Sequence, residues 1–313
     1  MRSMSMICMA LLTVASAHAA EVKYFPVPSY PHDVAPAPDG TVWYTGQGAG
    51  NLGRLDPKTG KVETIPLGND SAPHGVIIGP DGAAWVTDSG QNANVRVDPA
   101  TKKVTVFPLP KDFSYANLNT ATFDKKGVYW FTGQNGVYGR LDPATGKTDV
   151  WKAPRGVGPY GITTTPSGDV WYASLAGDHI AKVDTASGEA TVVEPPAKGV
   201  RPRRIWSDSK GVLWVSFWGS GEVGRYDPAN KTWKVWQLPN VQRGCYAVYV
   251  DDKDNVWLAS WQANALVRFD PKTEKFESFP SNKKGSDVRQ MLGRPGELWG
   301  AESGTNRLVM IKD

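Results

Sequence analysis

From residue 31 onward, short apolar runs of five or six residues alternate with turn clusters rich in Gly, Pro and Asp. The stretch 73–110 shows the pattern most clearly. His74 to Ile78 reads as a strand, Pro80-Asp81-Gly82 as its turn, and Ala83 to Thr87 as the returning strand. Ala93 to Val97 reads as a third strand and Asp98 to Lys102 as a second turn. Val104 to Pro108 then forms an outer edge, where proline is tolerated because one side pairs with nothing. The spacing leaves almost no room for helices.

The same frame repeats along the chain. Trp43, Trp85, Trp130, Trp171, Trp214, Trp257 and Trp299 recur at spacings of 42, 45, 41, 43, 43 and 42 residues. A period near 40 residues that holds several short β runs predicts an all-β, seven-bladed propeller of four-stranded antiparallel blades. Trp85 is expected to pack between neighbouring blades. A basic residue two positions before the second turn recurs as Arg54, Arg96, Arg140, Lys182, Arg225 and Arg268, which argues for a turn-fixing role. The seventh repeat stops at Leu308-Val309-Met310-Ile311 without an outer strand, and a matching segment, Val22 to Pro28, stands near the other end of the chain. Ring closure by that N-terminal strand predicts one domain over residues 20–313.

Composition narrows the setting. Arg2, an apolar run from Met4 to Ala15 and Ala17-His18-Ala19 form the pattern of an export signal, so residues 1–19 are expected to be removed and the mature protein to be periplasmic or secreted. The run is too short for a permanent membrane span. Without Arg2 the chain has 34 basic and 31 acidic residues and no basic block, which excludes a nucleic-acid footprint. One cysteine, Cys245, remains after the signal, so no internal disulfide can form, and it reads as a plain buried residue. Three histidines remain, His32, His74 and His179, too few for a zinc site built mainly from histidine. His179 is expected in a solvent-facing loop of the fourth blade.

Symmetry about the first turn pairs His74 with Asp88 across the two inner strands. It likewise pairs His32 with Gly46, Asn119 with Gly133, Tyr160 with Ser174, Arg203 with Phe217, Tyr246 with Ser260 and Arg289 with Glu302. These positions should ring the mouth of the central channel, and here the repeats differ most from one another. Arg204 and Asp287 lie beside the ring, with Trp218 and Trp261 flanking it. Basic groups converging with aromatic faces suit an anionic small-molecule or peptide-like ligand, bound through Arg203, Arg289, Tyr160, Asp88 and Trp261. An Arg289–Glu302 salt bridge across the mouth is the structural reading of the same charges.

The recurring Pro-His-Gly, Pro-Asp-Gly, Trp and Arg-x-Asp-Pro frame, with outer strands like Phe-Pro-Leu-Pro, resembles the virginiamycin B lyase (streptogramin B lyase) family over the whole mature chain. The resemblance implies elimination across an ester C–O bond of a cyclic depsipeptide, with a divalent cation, usually Mg²⁺, polarising a carbonyl while a His removes the α-proton. Position by position it implies metal-holding carboxylates at Asp287 and Glu302. The family's catalytic His falls on Arg289, the His opening its sixth repeat on Tyr246, and the Tyr of its first repeat on His32. Arginine stays protonated and is no ordinary base. Elimination here would therefore fall to His32 or His74, with Tyr246 third because of its high ordinary pKa.

Two readings stand side by side: a Mg²⁺-assisted carbon–oxygen lyase, or a non-catalytic periplasmic propeller that binds an anionic ligand or a partner protein. A sugar-lactone hydrolase ranks behind both, because such sites need more acids and Asn around the metal. The protein is expected to be a monomer that binds neither nucleic acid nor, after signal removal, a membrane.

Overall fold

Strand order within each repeat follows the chain, so the first strand of each lies innermost and the fourth outermost. The computed structural model describes residues 20–28 and 30–312; the predicted export segment, residues 1–19, lies outside the described residues. Seven four-stranded antiparallel sheets form the ring, as the spacing of the tryptophans predicts. In blade two the strands are Pro73–Ile78, Ala84–Asp88, Ala93–Val97 and Val104–Pro108. Blade seven closes as expected: Glu21–Pro26 pairs antiparallel with Arg307–Lys312 and forms that sheet's outer strand. Among the described residues the helical pieces are two short 3-10 turns, Gln47–Ala49 and Ser303–Thr305. None is long and apolar enough to cross a membrane.

The recurring tryptophans are at most 3 % exposed and wedge between blades. Trp85, for example, lies 5.3 Å from Tyr129 and 5.6 Å from Phe123 of the next blade. In four blades the indole N–H finds a carboxylate of the first turn: Trp85 donates to Asp81, Trp130 to Asp124, Trp214 to Asp208 and Trp257 to Asp251, at 2.9–3.1 Å. These four tryptophans thus add apolar area without an orphaned donor, whereas the indole N–H groups of Trp43 and Trp171 are buried without a partner among the described residues. Five of the six repeated basic residues fix turns or outer strands through ion pairs such as Arg54–Asp39 and Arg96–Asp81, both 2.7 Å, and Arg225 is the exception.

Register corrects one expectation. Asp88 lies opposite Pro73, not His74, and the same one-residue offset holds in every blade, down to Glu302 opposite Val288 rather than Arg289. The reason is a β-bulge near the start of each innermost strand, which inserts one residue and breaks the simple alternation of faces. His179 corrects another. It opens the third strand of blade four, His179–Val183, and is fully buried, with Nδ1 2.9 Å from the Gly177 carbonyl and its ring edge-on to Tyr172.

The bulges are stitched between blades by hydroxyls on the second strand. Thr45 accepts from the Asp33 N–H and donates to the His74 carbonyl of the next blade, and Thr87 bridges the Gly75 N–H and the Asn119 carbonyl in the same way. Thr132 and Ser216 repeat the arrangement. Because valine keeps the shape and removes both bonds, Thr87→Val leaves a buried N–H and a buried carbonyl unpaired. It is expected to lower unfolding free energy by about 1–3 kcal/mol, read as the denaturant midpoint; an unchanged midpoint would discount the stitch.

Candidate functional site at the channel mouth

The bulge explains why polar residues come in adjacent pairs at the start of the innermost strands: His32-Asp33, Asn119-Thr120, Arg203-Arg204 and Arg289-Gln290. With two residues opposite one, members of these pairs meet across the channel. Arg204 reaches over to blade one, placing Nη2 3.2 Å from both carboxylate oxygens of Asp33. Its Nη1 donates to Thr120 Oγ1 at 2.5 Å, and Thr120 in turn donates to Asn119 Oδ1 at 2.7 Å. Gln290 accepts from the Val34 N–H at 3.1 Å. Asp33 is fully buried and Arg204 is 4 % exposed. This ion pair plugs the channel and ties blades one, three and five together.

Above the plug lie the two histidines, with ring centroids 4.0 Å apart. His32 Nδ1 is 2.9 Å from Asp33 Oδ1, so Nδ1–H donates to the carboxylate and the lone pair stands on Nε2. Asn119 Nδ2 donates to His74 Nε2 at 3.2 Å, which puts the His74 proton on Nδ1, a buried nitrogen without a partner. Burial holds the His32 pKa below the ordinary histidine value despite the opposing pull of Asp33. Burial lowers His74 further, aided by the repulsion a protonated His32 would exert and by the positive charge of Arg204 and Arg289. Both rings are therefore neutral near pH 7.

The other half of the mouth is an aromatic shelf. Tyr246 and Trp261 stack at 4.6 Å and 14°, and Trp218 meets both edge-on. The Arg203 guanidinium sits 3.6 Å from the Tyr246 ring centre, 4.4 Å from Tyr160 and 4.8 Å from Trp218. Arg203 donates to the Tyr160 hydroxyl at 2.8 Å, so the Tyr160 O–H in turn donates to the Tyr246 hydroxyl at 2.6 Å. Burial raises both phenols, but for Tyr246 the guanidiniums of Arg203 and Arg204 and the bond from Tyr160 outweigh it and hold the pKa below the ordinary tyrosine value. Tyr160 stays well above that value, by burial and then by the charge of Tyr246. Arg289 lies 5.0 Å from the Trp261 ring, with Nε bonded to Ser303 Oγ at 2.9 Å. Between blades seven and one it opens onto a cleft of about 300 Å³ that His32 and Asp287 also line.

Seven of the residues expected at the site therefore come together: His32, His74, Tyr160, Arg203, Tyr246, Trp261 and Arg289. Asp287 stands on the cleft rim. Asp88 and Glu302 lie elsewhere. Asp88 is buried and accepts from Ser71 Oγ and from the N–H groups of Ala72, Gly90 and Gln91, so its carboxylate holds a loop. Glu302 pairs with Arg307, not with Arg289: Nη2 and Nε of Arg307 approach Oε2 to 2.5 and 2.8 Å, Thr305 also donates to Oε2, and Ser281 donates to Oε1. The expected Arg289–Glu302 bridge fails because the register places Glu302 opposite Val288. Cys245 is buried as expected, and burial pushes its thiol pKa far up, which leaves it unreactive. Sequence reasoning missed Asp33, Thr120 and the Asp33–Arg204 pair. The consecutive polar residues where alternation calls for one were the available signal.

The model of the virginiamycin B lyase family matches residues 12–269, ending before Asp287, Arg289 and Glu302. No curated protein matches the chain. A streptogramin B lyase structure is 20 % identical, with a TM-score of 0.85 over 94 % of this chain and 97 % of its own. A catalytically inactive virginiamycin B lyase from Staphylococcus aureus with quinupristin is 19 % identical, with a TM-score of 0.86 over 94 % and 100 %. The extracellular domain of a one component system from B. thetaiotaomicron is 16 % identical, with a TM-score of 0.73 over 92 % of this chain and 42 % of the other. At these identities the likeness bears on the fold alone. The match over most of the ring settles the family: the chain belongs to the virginiamycin B lyase family.

Proposed function

We propose that the mouth binds an organic anion that also carries a flat apolar part, of small-molecule or peptide-like size. An imbalance of charge supports this reading. Arg203 and Arg289 open onto the mouth with no carboxylate in ion-pair range among the described residues, whereas Asp33 is cancelled by Arg204, and Asp88 and Glu302 are spent elsewhere. An anion clamped by the two guanidiniums could lay its apolar part against Tyr246, Trp218 and Trp261. We also infer export, with residues 1–19 removed, from the leader pattern, and a monomeric state.

The Mg²⁺ that the family resemblance implies does not fit the carboxylates carried over to hold it. Both oxygens of Glu302 are already saturated by Arg307, Thr305 and Ser281, and Glu302 and Asp287 line separate cavities.

One observation favours an enzyme as the second reading: the Asp33–His32 dyad, with neutral His32 on the same cleft as Arg289. In an elimination the Nε2 lone pair of His32 would take an α-proton. The electrons of that C–H bond would form the new double bond, and the C–O pair would leave on the departing carboxylate, with Arg289 stabilising negative charge.

One experiment separates the readings. Calorimetric titration of carboxylate-bearing cyclic peptides and depsipeptides, against their amides, is expected to show the acids binding at least about tenfold tighter, with that preference lost in Arg289→Ala. Equal affinity for acid and amide would overturn the anion site. Mass spectrometry of the same samples tests the chemistry. A ring-opened isomer of unchanged mass, absent with His32→Gln, establishes the lyase, and unaltered ligand leaves the binder.

A further inference from the structure

On the face opposite the mouth, the blades obey a rule of charge that blade five breaks. Arg54 and Arg96 find their acid in the first turn, at Asp39 and Asp81. Arg140 and Arg268 find theirs directly opposite on the outer strand, at Asp149 and Glu277, and Lys182 pairs with Asp169. In blade five both supplying positions are lysines. Lys210 holds the turn position of Asp39 and Asp81, and Lys234 is the register partner of Arg225.

Arg225 is left with no carboxylate in ion-pair range among the described residues. It also has no place over its blade tryptophan, where Arg54, Arg140 and Arg268 lie at 5.1–5.6 Å. Like charges directly opposite one another across two strands oppose folding. Such local conflicts concentrate where a chain has been shaped for something other than stability.

The largest cavity described lies at this spot, a groove of about 520 Å³ between blades five and six, with Trp214 and Trp236 among its walls. The carboxylates that share the groove are occupied. Asp208 holds the Trp214 indole and its own turn, Asp254 holds Ser209, Asp270 caps its turn, and Glu274 binds Lys234 and the Trp236 indole.

We propose that this groove binds a tetrahedral dianion, phosphate or sulfate, free or as the ester of a small molecule. Arg225 would be its bidentate anchor, with Lys210 and Lys234 beside it. A guanidinium offers two parallel N–H groups to two oxygens of such an anion, and the flanking ammonium groups add charge without demanding geometry. The site is independent of the mouth.

Titration calorimetry of the mature chain with inorganic phosphate and with sulfate tests it, at constant ionic strength against a chloride control. Saturable one-site binding is expected, weakened at least tenfold in Arg225→Gln and unchanged in the mouth variant Arg203→Ala. Because Arg225 has no ion pair to lose, Arg225→Gln should melt no lower than the parent, which guards against a folding artefact. A sugar phosphate run alongside tells an ester site, binding tighter than the free ion, from a free-ion site, binding equally. Heats that match chloride, an unaffected Arg225→Gln, or loss of binding in Arg203→Ala would each overturn the proposal.

Discussion

Asp33→Ala should destabilise the ring by about 3–5 kcal/mol, the largest loss expected from any polar substitution in the chain. The value follows from what is left behind. Arg204 is 4 % exposed, and among the described residues its guanidinium has Asp33 as its one carboxylate partner, so removing the acid strands a cation in the channel. His32 loses its Nδ1 acceptor at the same time. A paired control separates charge from shape: Arg204→Met in the Asp33→Ala background removes the stranded cation and should recover part of the loss, as buried ion pairs replaced by apolar groups often do. Denaturant unfolding of the two variants reads the difference. An Asp33→Ala midpoint within error of the parent would mean that water, not Asp33, balances Arg204.

Acidification should weaken the protein well above the range in which carboxylates titrate. His32, His74 and His179 all have pKa values lowered in the folded state, each chiefly by burial. Below pH 6.5 the unfolded chain takes up protons that the folded chain refuses, so stability is fully present above pH 6.5 and is lost as pH falls from there toward the folded pKa values. The slope approaches about 1.4 kcal/mol per pH unit for a histidine held far below its ordinary value, as His74 is, and His32 and His179 add to it in the same direction. The turn carboxylates with lowered values, such as Asp39 and Asp81, begin to contribute only nearer their ordinary value of 3.8. Melting temperatures should therefore decline between pH 6.5 and 5, and His74→Gln should make that decline shallower. A flat profile down to pH 4.5 would contradict the neutral histidine pair.

The architecture was readable in the chain because each blade repeats one packing problem, a Trp between sheets and a turn held by charge. Seven near-copies average out local ambiguity. Ring closure was readable for the same reason, since a missing strand at one end matched a spare one at the other. The mouth was legible only as a list of residues. Which of them meet depends on a bulge that moves every cross-strand partner by one position, and no residue type marks it beyond the doubled polar pairs. Asp33 and Arg204 stand 171 positions apart, and their partnership exists only once the ring has closed. Glu302 had a conspicuous place in the pattern, but the arginine that saturates it, five residues on, lay outside the frame used to read it.

The outer strand of blade seven also governs the order of events. Glu21 pairs with Lys312, so the ring cannot shut until almost the whole chain is present. Every earlier stage exposes an unsatisfied edge on Arg307–Lys312 or on the blade last formed. Closing so long a loop costs only logarithmically more entropy than closing a short one, but it must happen before the contacts it enables can reward it. Glu21–Pro26 therefore acts as a latch, and an open ring can accept the same six residues from a second molecule as readily as its own. Crowded refolding would then favour strand-exchanged pairs, while slow, dilute refolding would favour the closed single ring.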